Sequence, residues 1–408
     1  MSAVTTVNER IEALLAPVDA AAARDYPGDD GSRQPIHSVY LPGDRYRPST
    51  PREWGEAALE AVAEIGGMTE LMRIHGLVDD ADEAARIAAK VEAKLRTEPI
   101  EDLRLDFEDG FGDRGDEAED EAVRAGARFV AQAASEGTAP PFIGIRFKCF
   151  EPRTRARGLR SLELFVDELA PRGLPENLVL TLPMVTDVAQ IEAMVLMLSE
   201  LERRHDLREG RLTFEIQVET PQAILGVDGT SPLPRMIAAG GGRITGMPYG
   251  TYDYSASVGI AAAYQSMEHP AADYAKEVMQ AAAAGTGVRL SDGSTNILPV
   301  GAGARAAWAL HGRLVTRSLE RGFYQGWDLH PAQLPSRYAA TYAFFRRSLS
   351  DANRRLAVYL GEGTGSVMDE PATARALAWF LRRGLDCGSI DEGELAVPVT
   401  ALAELMAP

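Results

Sequence analysis

Two carboxylates, Glu219 and Asp253, stand just past short apolar runs and just ahead of helix-like stretches. The runs are Thr213-Phe-Glu-Ile-Gln-Val-Glu219 and Arg243-Ile-Thr-Gly-Met-Pro-Tyr-Gly-Thr-Tyr-Asp253. A carboxylate at the carboxyl end of a strand is costly unless something positive meets it. On successive strands of a parallel barrel two of them converge on one spot, and a divalent cation is the simplest partner: Mg2+, with Mn2+ as the alternative. Mg2+ commonly takes one or two protein carboxylates and leaves its other positions to water and substrate oxygens. The chemistry expected is therefore metal-assisted work on a small, oxygen-rich carboxylic acid. The plainer reading pairs Glu219 with an arginine and makes Asp253 a helix cap.

Other polar residues fall at equivalent strand ends. The run ending Asp106-Phe-Glu108-Asp109-Gly110 holds three carboxylates in four positions. Glu108 and Asp109 are placed to hold metal-bound water or to orient Arg146. Arg146 alternates with Ile145 and Phe147, so it points away from them, and an inward arginine at a barrel top can fork onto a carboxylate or an oxyanion. It can equally neutralise Glu108 or Asp109, and the two roles are compatible. Gly250, Thr251, Tyr252 and His330 join Arg146 as candidates for contact with the substrate. His330 precedes a proline, where a histidine is more often a hydrogen-bonded structural residue than a base. Tyr249, Tyr252 and Tyr254 surround Asp253 as packing or rim residues. No phosphate-binding loop and no serine in a strand-turn-helix elbow is found.

The elements that must position these groups alternate along the chain. Candidate strands are Ile36–Leu41, Leu103–Phe107, Phe142–Phe147, Leu178–Met184, Phe214–Val218, Arg243–Met247, Asn296–Val300 and Phe323–Leu329. Between them lie the helix-like stretches Asp116–Ala134, Arg160–Asp167, Val188–Arg204, Pro221–Ile237 and Gly303–Glu320. This beat predicts an α/β fold, a (β/α)8 TIM barrel over residues 1–334 with a helical insertion at about 48–98, after the first strand. Residues 335–408 predict a C-terminal helical lid or oligomerisation segment, with a Gly-rich hinge at Leu360–Ser366.

Bulk properties narrow the function classes. The chain has 408 residues, 45% hydrophobic and 25% charged, with a net charge of −18. That balance argues against a nucleic-acid groove or an anionic membrane surface as partner. Two cysteines, Cys149 and Cys387, exclude a disulfide scaffold. No apolar leader or span stands out, so a cytoplasmic enzyme is expected.

In order along most of the chain, these elements resemble the HpcH/HpaI aldolase and citrate lyase β-subunit superfamily, which includes malyl-CoA lyase and malate synthase relatives. His37-Ser-Val-Tyr-Leu-Pro-Gly43 resembles its first strand, Leu105-Asp-Phe-Glu108-Asp109 its LDLED element and Ile145-Arg146-Phe147 its strand-three arginine. Val218-Glu219-Thr220 and Gly250-Thr251-Tyr252-Asp253 are similar to its metal-binding IET and GxxD elements, and Trp327-Asp-Leu-His330-Pro331-Ala-Gln333 to its IHPxQ element. Gly365-Ser-Val-Met-Asp369-Glu-Pro371 resembles a C-terminal GxxIDxP element whose aspartate acts as acid or base in a neighbouring subunit's site. For Asp369 spacing alone reads as a helix N-cap.

The resemblance implies a Mg2+-dependent barrel that makes or breaks a carbon–carbon bond beside a 2-oxo or 2-hydroxy carboxylate through an enolate. It further implies a homo-oligomer, trimer or hexamer. The alternatives are a malate-synthase-like Claisen condensation with acetyl-CoA and a non-catalytic metabolite-binding barrel. Three departures matter. His37 starts the first run, whereas the small pyruvate-aldolase branch has its basic histidine near that strand's end, which favours the citrate-lyase-like branch. Met184 and Trp327 stand where that branch has lysines that handle its acyl-CoA, which leaves use of a coenzyme A thioester open.

Overall fold

The computed structural model describes residues 6–361 and 369–407. Eight parallel strands form one sheet in the order β7-β6-β5-β4-β3-β2-β1-β8. They are β1 (His37–Pro42), β2 (Asp102–Asp106), β3 (Phe142–Arg146), β4 (Leu178–Leu182), β5 (Phe214–Ile216), β6 (Ile244–Pro248), β7 (Arg289–Ser291) and β8 (Gly326–Asp328). A parallel bridge between Ser291 and Gln325 joins the two ends. Two backbone bonds, Asp292 N to Gln325 O (2.9 Å) and Trp327 N to Gly293 O (3.2 Å), back it, and the barrel closes. The expected (β/α)8 fold is the one observed.

Strand seven differs from expectation. Asn296–Val300 has a β-like pattern but is irregular, and Arg289–Ser291 pairs with β6 instead. The segment after β7 is tied down by polar contacts: the Gln333 amide donates to Thr295 O (3.0 Å), and the Tyr252 hydroxyl accepts from Asn296 N (2.6 Å). Those contacts leave no register for a strand. Pro221–Ile237 is likewise two short helices, Pro221–Ile224 and Leu233–Ala239. The intervening Gly226-Val-Asp-Gly229 closes a turn in which Gly229, at φ +77°, adopts a conformation that favours glycine.

The strands alternate in a way that explains both faces. Leu103, Leu105, Ile143, Ile145, Leu180, Leu182, Phe214 and Ile216 are all buried against the surrounding helices. Leu105, for example, packs where Gly126 of the following helix (Asp116–Glu136) leaves room; a Cβ there would lie 2.6 Å from it. The intervening residues point into the barrel and are polar: Asp102, Arg104 and Asp106 on β2, Glu215 on β5, then Gln217 and Glu219 past its end. An all-parallel strand normally reads as an apolar run. A charged interior therefore has to be paid for by pairing.

The insertion after β1 is three helices, Thr50–Glu64, Met68–His75 and Ala81–Thr97. Gly66 and Gly67, both at positive φ, break the first from the second, and Asp80 caps the third by accepting from Glu83 N (2.8 Å). The helix Leu334–Tyr359 leaves β8 and packs along Ala304–Glu320 and Ala81–Thr97, so it serves as the last helix of the barrel wall. Pro371–Asp386 packs on it, and its Arg383 stacks over Tyr324, just ahead of β8 (4.2 Å to the ring centre). That contact marks the amino-terminal end of the strands. Beneath the same end runs the segment Tyr26–Pro35, fixed by Gly28 N to Gly285 O (2.8 Å) and by the Gln34 amide donating to Leu290 O (3.1 Å). Among the described residues no helix is long and apolar enough to cross a membrane. Both cysteines are free and buried.

Candidate active site

The carboxyl end of the barrel gathers Arg146, Glu108, Asp109, Glu219 and Asp253, all five named from sequence. Arg146 is 2% exposed and lies over the rings of Tyr40 (4.9 Å) and Trp327 (5.4 Å). Its Nε and Nη2 donate to the two oxygens of Asp106 at 2.8 and 2.7 Å. Asp106 also accepts from Glu108 N (3.0 Å) and Gly110 N (2.8 Å). These interactions, led by the charge of Arg146, overcome burial and hold the Asp106 carboxyl below its usual range. The bidentate partner of Arg146 is thus Asp106, a residue assigned no role from sequence. Glu108 takes the outer nitrogen Nη1 at 3.0 Å, and Asp109, exposed, sits 3.7 Å from Nη2.

Glu219 is 1% exposed. Its Oε1 accepts from Met184 N (2.8 Å) and its Oε2 from the Gln217 amide (2.7 Å), while Gln217 Oε1 accepts from Arg146 Nη1 at 3.4 Å. Met184 reaches this position with φ +52°, a strained conformation for a non-glycine residue at the end of β4. Gly250 supplies the other wall: a Cβ there would lie 2.3 Å from Glu219 Oε2. The alternative that Glu219 is simply paired with an arginine is not what the structure shows. Its oxygens are held by an amide and a backbone N–H.

Asp253 lies in the first turn of the short helix Thr251–Ser257 and is exposed toward the mouth. The helix is preceded by Gly250 and has no side-chain cap, so Asp253 does not cap it. Thr251 is buried and its hydroxyl accepts from Ser294 N (3.2 Å), which together with the Tyr252–Asn296 bond ties the loop after β7 to this helix. Those roles hold the loop. His330, half-buried at the end of β8, accepts Ala332 N on Nδ1 (3.1 Å) and caps the turn Pro331–Gln333.

The electrostatics follow from the geometry. Glu219 is pushed well above the usual carboxylate range by burial and by Glu108 and Asp253. Glu108 is pushed up to about 8, by burial first and then by Asp109, Asp106 and Asp253 against the pull of Arg146. Asp253, though exposed over part of its surface, is raised by partial loss of solvent in the mouth and then by Asp109, against the pull of Arg146. Asp106 takes two nitrogens of Arg146 and Glu108 the third, so among the described residues Glu219 and Asp253 have no cationic partner of their own. Oxygen donors crowded beyond their available positive charge are the donor set a hard divalent cation requires. Among the described residues, no group of three or more His, Cys, Asp or Glu side chains is gathered closely enough to hold an ion alone. The fit is to a two-carboxylate site completed by water and substrate.

Asp369 is not brought to this cluster within the chain. It pairs with Arg355 of Leu334–Tyr359, Oδ2 accepting from Nε at 3.1 Å, and this ion pair holds its carboxyl below the usual range. It is not a helix cap either: Glu370 holds that position without a side-chain bond. An arginine fourteen residues upstream offers a stronger partner than exposed backbone N–H groups. Gly365 to Met368 of the same element, and most of the Gly-rich hinge, lie outside the described residues.

Residues 15–407 match the profile of a domain family of unknown function, DUF6986. The chain belongs to this family. No curated protein matches it. Among solved structures, a citrate lyase from Burkholderia xenovorans LB400 is similar over 93% of this chain and 98% of its own, at 18% identity and a TM-score of 0.60. The magnesium/glyoxylate complex of Haloferax volcanii malate synthase is similar over 75% of each chain, at 15% identity and a TM-score of 0.52. Its pyruvate/acetyl-CoA ternary complex covers 86% of this chain and 82% of its own, at 16% identity and a TM-score of 0.51. This member of DUF6986 thus has the citrate-lyase-like barrel fold that the order of its motifs implies.

Proposed function

We propose that the protein is a Mg2+-dependent carbon–carbon lyase of the citrate-lyase-like type, acting beside a 2-oxo or 2-hydroxy carboxylate. The observation that carries the reading is the gathering of Glu219 and Asp253, neither with a cationic partner among the described residues, beside an arginine that Asp106 and Glu108 already occupy. The magnesium/glyoxylate complex of a malate synthase with the same fold supports the choice of ion and of substrate class. Glu219 and Asp253 would hold the cation, which supplies Lewis-acid polarisation of an α-oxygenated acid. Arg146, fixed by Asp106 and lying over Tyr40 and Trp327, would stabilise through its Nη1 edge the oxyanion or enolate developing beside it. Glu108 touches that edge and is the group placed to exchange a proton with it. Gly250 lets the metal carboxylate sit flush with the mouth. Asp369 would serve a neighbouring subunit's site in a trimer or hexamer.

The test is metal binding and turnover together. Wild-type protein is expected to take up one Mg2+ per chain by calorimetry and to release pyruvate or glyoxylate from 2-hydroxy dicarboxylates, or oxaloacetate from a 2-hydroxy tricarboxylate, only with the metal. Glu219→Ala should lower metal affinity more than about a hundredfold, beyond the 10–100-fold of supporting residues. Unchanged affinity would overturn the assignment. The malate synthase likeness favours condensation as the second reading, and acetyl-CoA consumption with a 2-oxo acid distinguishes it.

A further inference from the structure

The barrel interior has a second chamber at its opposite end. A cavity of about 750 Å3 opens at the amino-terminal ends of the strands, beneath the layer that holds Arg146. Small-molecule sites span roughly 300–1,000 Å3. At its inner end stand Asp102, Arg104 and Glu215; its sides include Ile237, Ile244 and Val288. The segment Tyr26–Pro35 forms part of the rim, as do Arg24 and Arg289.

Glu215 is 6% exposed, and its two oxygens differ sharply. Oε1 accepts from Thr181 Oγ1 (2.6 Å), Arg104 Nε (3.1 Å) and the Tyr40 hydroxyl (3.3 Å). Oε2 has no hydrogen-bond partner among the described residues. The space beside it is kept by Gly246, where a Cβ would sit 3.4 Å from that oxygen. Asp102 is fully used: one oxygen meets Arg104 Nη1 and the other accepts from Ser38 Oγ (2.6 Å). Two buried carboxylates thus share one guanidinium, and one negative charge is left over. The cations at the rim do not supply the difference. Arg24 is bound to Asp25, and Arg289 is bound to Ser32 and lies 3.7 Å from Asp30.

We propose that this chamber binds a small organic cation, a primary ammonium on Glu215 Oε2 with a short hydrocarbon body against Ile237, Ile244 and Val288. An ammonium supplies the missing charge and donors that one open oxygen can take. A hard metal ion is disfavoured, because it needs about six oxygen ligands and the inner end of the chamber offers one open carboxylate oxygen beside the Arg104 guanidinium. An anion is disfavoured by the surplus negative charge. The inference does not rest on the lyase reading.

The test is calorimetry on the full-length protein at neutral pH and fixed ionic strength with n-butylammonium, n-butanol and butyrate. Butylammonium is expected to bind about tenfold or more tightly than butanol, the scale of a hydrogen bond to a charged group, and butyrate not to bind. Glu215→Gln should abolish the preference for the amine over the alcohol. That variant disturbs the Arg104 pairing and its folding is to be checked. Ala238→Trp, at an exposed position lining the same cavity, should weaken butylammonium binding at least about tenfold by filling it. Equal binding of amine and alcohol, butyrate binding as tight as the amine, no binding of butylammonium at all, or amine binding unchanged in Ala238→Trp would each overturn the proposal.

Discussion

At the carboxyl end of the barrel interior Arg146 is gripped by Asp106 through both of its oxygens, and Glu108 meets its third nitrogen at 3.0 Å. At the amino end Arg104 is divided between two, Asp102 and Glu215. The residue types are the same and the consequence differs. Asp106 and Glu108 between them occupy the guanidinium, so among the described residues Glu219 and Asp253 are left without a cationic partner, the feature on which the proposed cation site rests. A shared guanidinium quenches most of its surroundings and leaves a single oxygen open, which suits one ammonium. Charge stoichiometry at each layer, rather than residue composition, decides what a polar barrel interior can bind.

The comparison can be broken at its strongest point first. Asp106→Ala leaves Arg146 buried without its bidentate partner, and urea unfolding should show a loss of about 3–5 kcal/mol. A cost near the ±0.5 kcal/mol of a surface change would mean that the upper arginine is not held in this way. Gly250→Ala comes next. Its Cβ would displace Glu219 Oε2, so Mg2+ affinity should fall about 10–100-fold by calorimetry with an unchanged circular dichroism spectrum. Gln217→Met keeps the volume but removes the amide that donates to Glu219, and about a tenfold loss of Mg2+ affinity is expected.

A pH test separates the interior from the outer helical layer. His75, in the insertion, packs its ring on Gly312 and bonds Ser336 Oγ at 2.9 Å; burial, with His311 nearby, pushes its pKa down to about 3. Below its unfolded value near 6.5 the unfolded chain binds the extra proton, so stability is full above that pH and falls by up to about 1.4 kcal/mol per unit on acidification. Asp106 is held below its usual value, so its contribution is lost only at pH below about 4. Stability measured between pH 7 and 5 in wild type and His75→Phe should differ in slope, while the Asp106 contribution stays constant.

Much of this was legible in the chain. Alternating runs place seven of the eight strands, and the positions of Glu108, Arg146, Glu219 and Asp253 at strand ends suffice to bring them together. The eighth case shows the limit: Arg289–Ser291 is three residues long and only partly buried, whereas Asn296–Val300 has the better strand composition but is held by side-chain contacts from Gln333 and Tyr252. For Asp106 and Gln217 the sequence carries a signal of another kind. Each sits two residues from another interior polar group, Asp106 after Arg104 and Gln217 before Glu219, and period-two alternation puts them on the same face. The Arg355 partner of Asp369 lies fourteen residues away across the hinge, and no local spacing rule reaches it.

Met184 shows how the site can tolerate drift in sequence. What Glu219 takes from position 184 is a backbone N–H delivered from a left-handed conformation, so the side chain there is free to change while the grip on the carboxylate stays. A change of side chain at position 184 therefore leaves the hold on Glu219 in place. The constraint at this position is one of shape. Glycine would fit with less strain, and a β-branched residue, for which that conformation is a true outlier, would not.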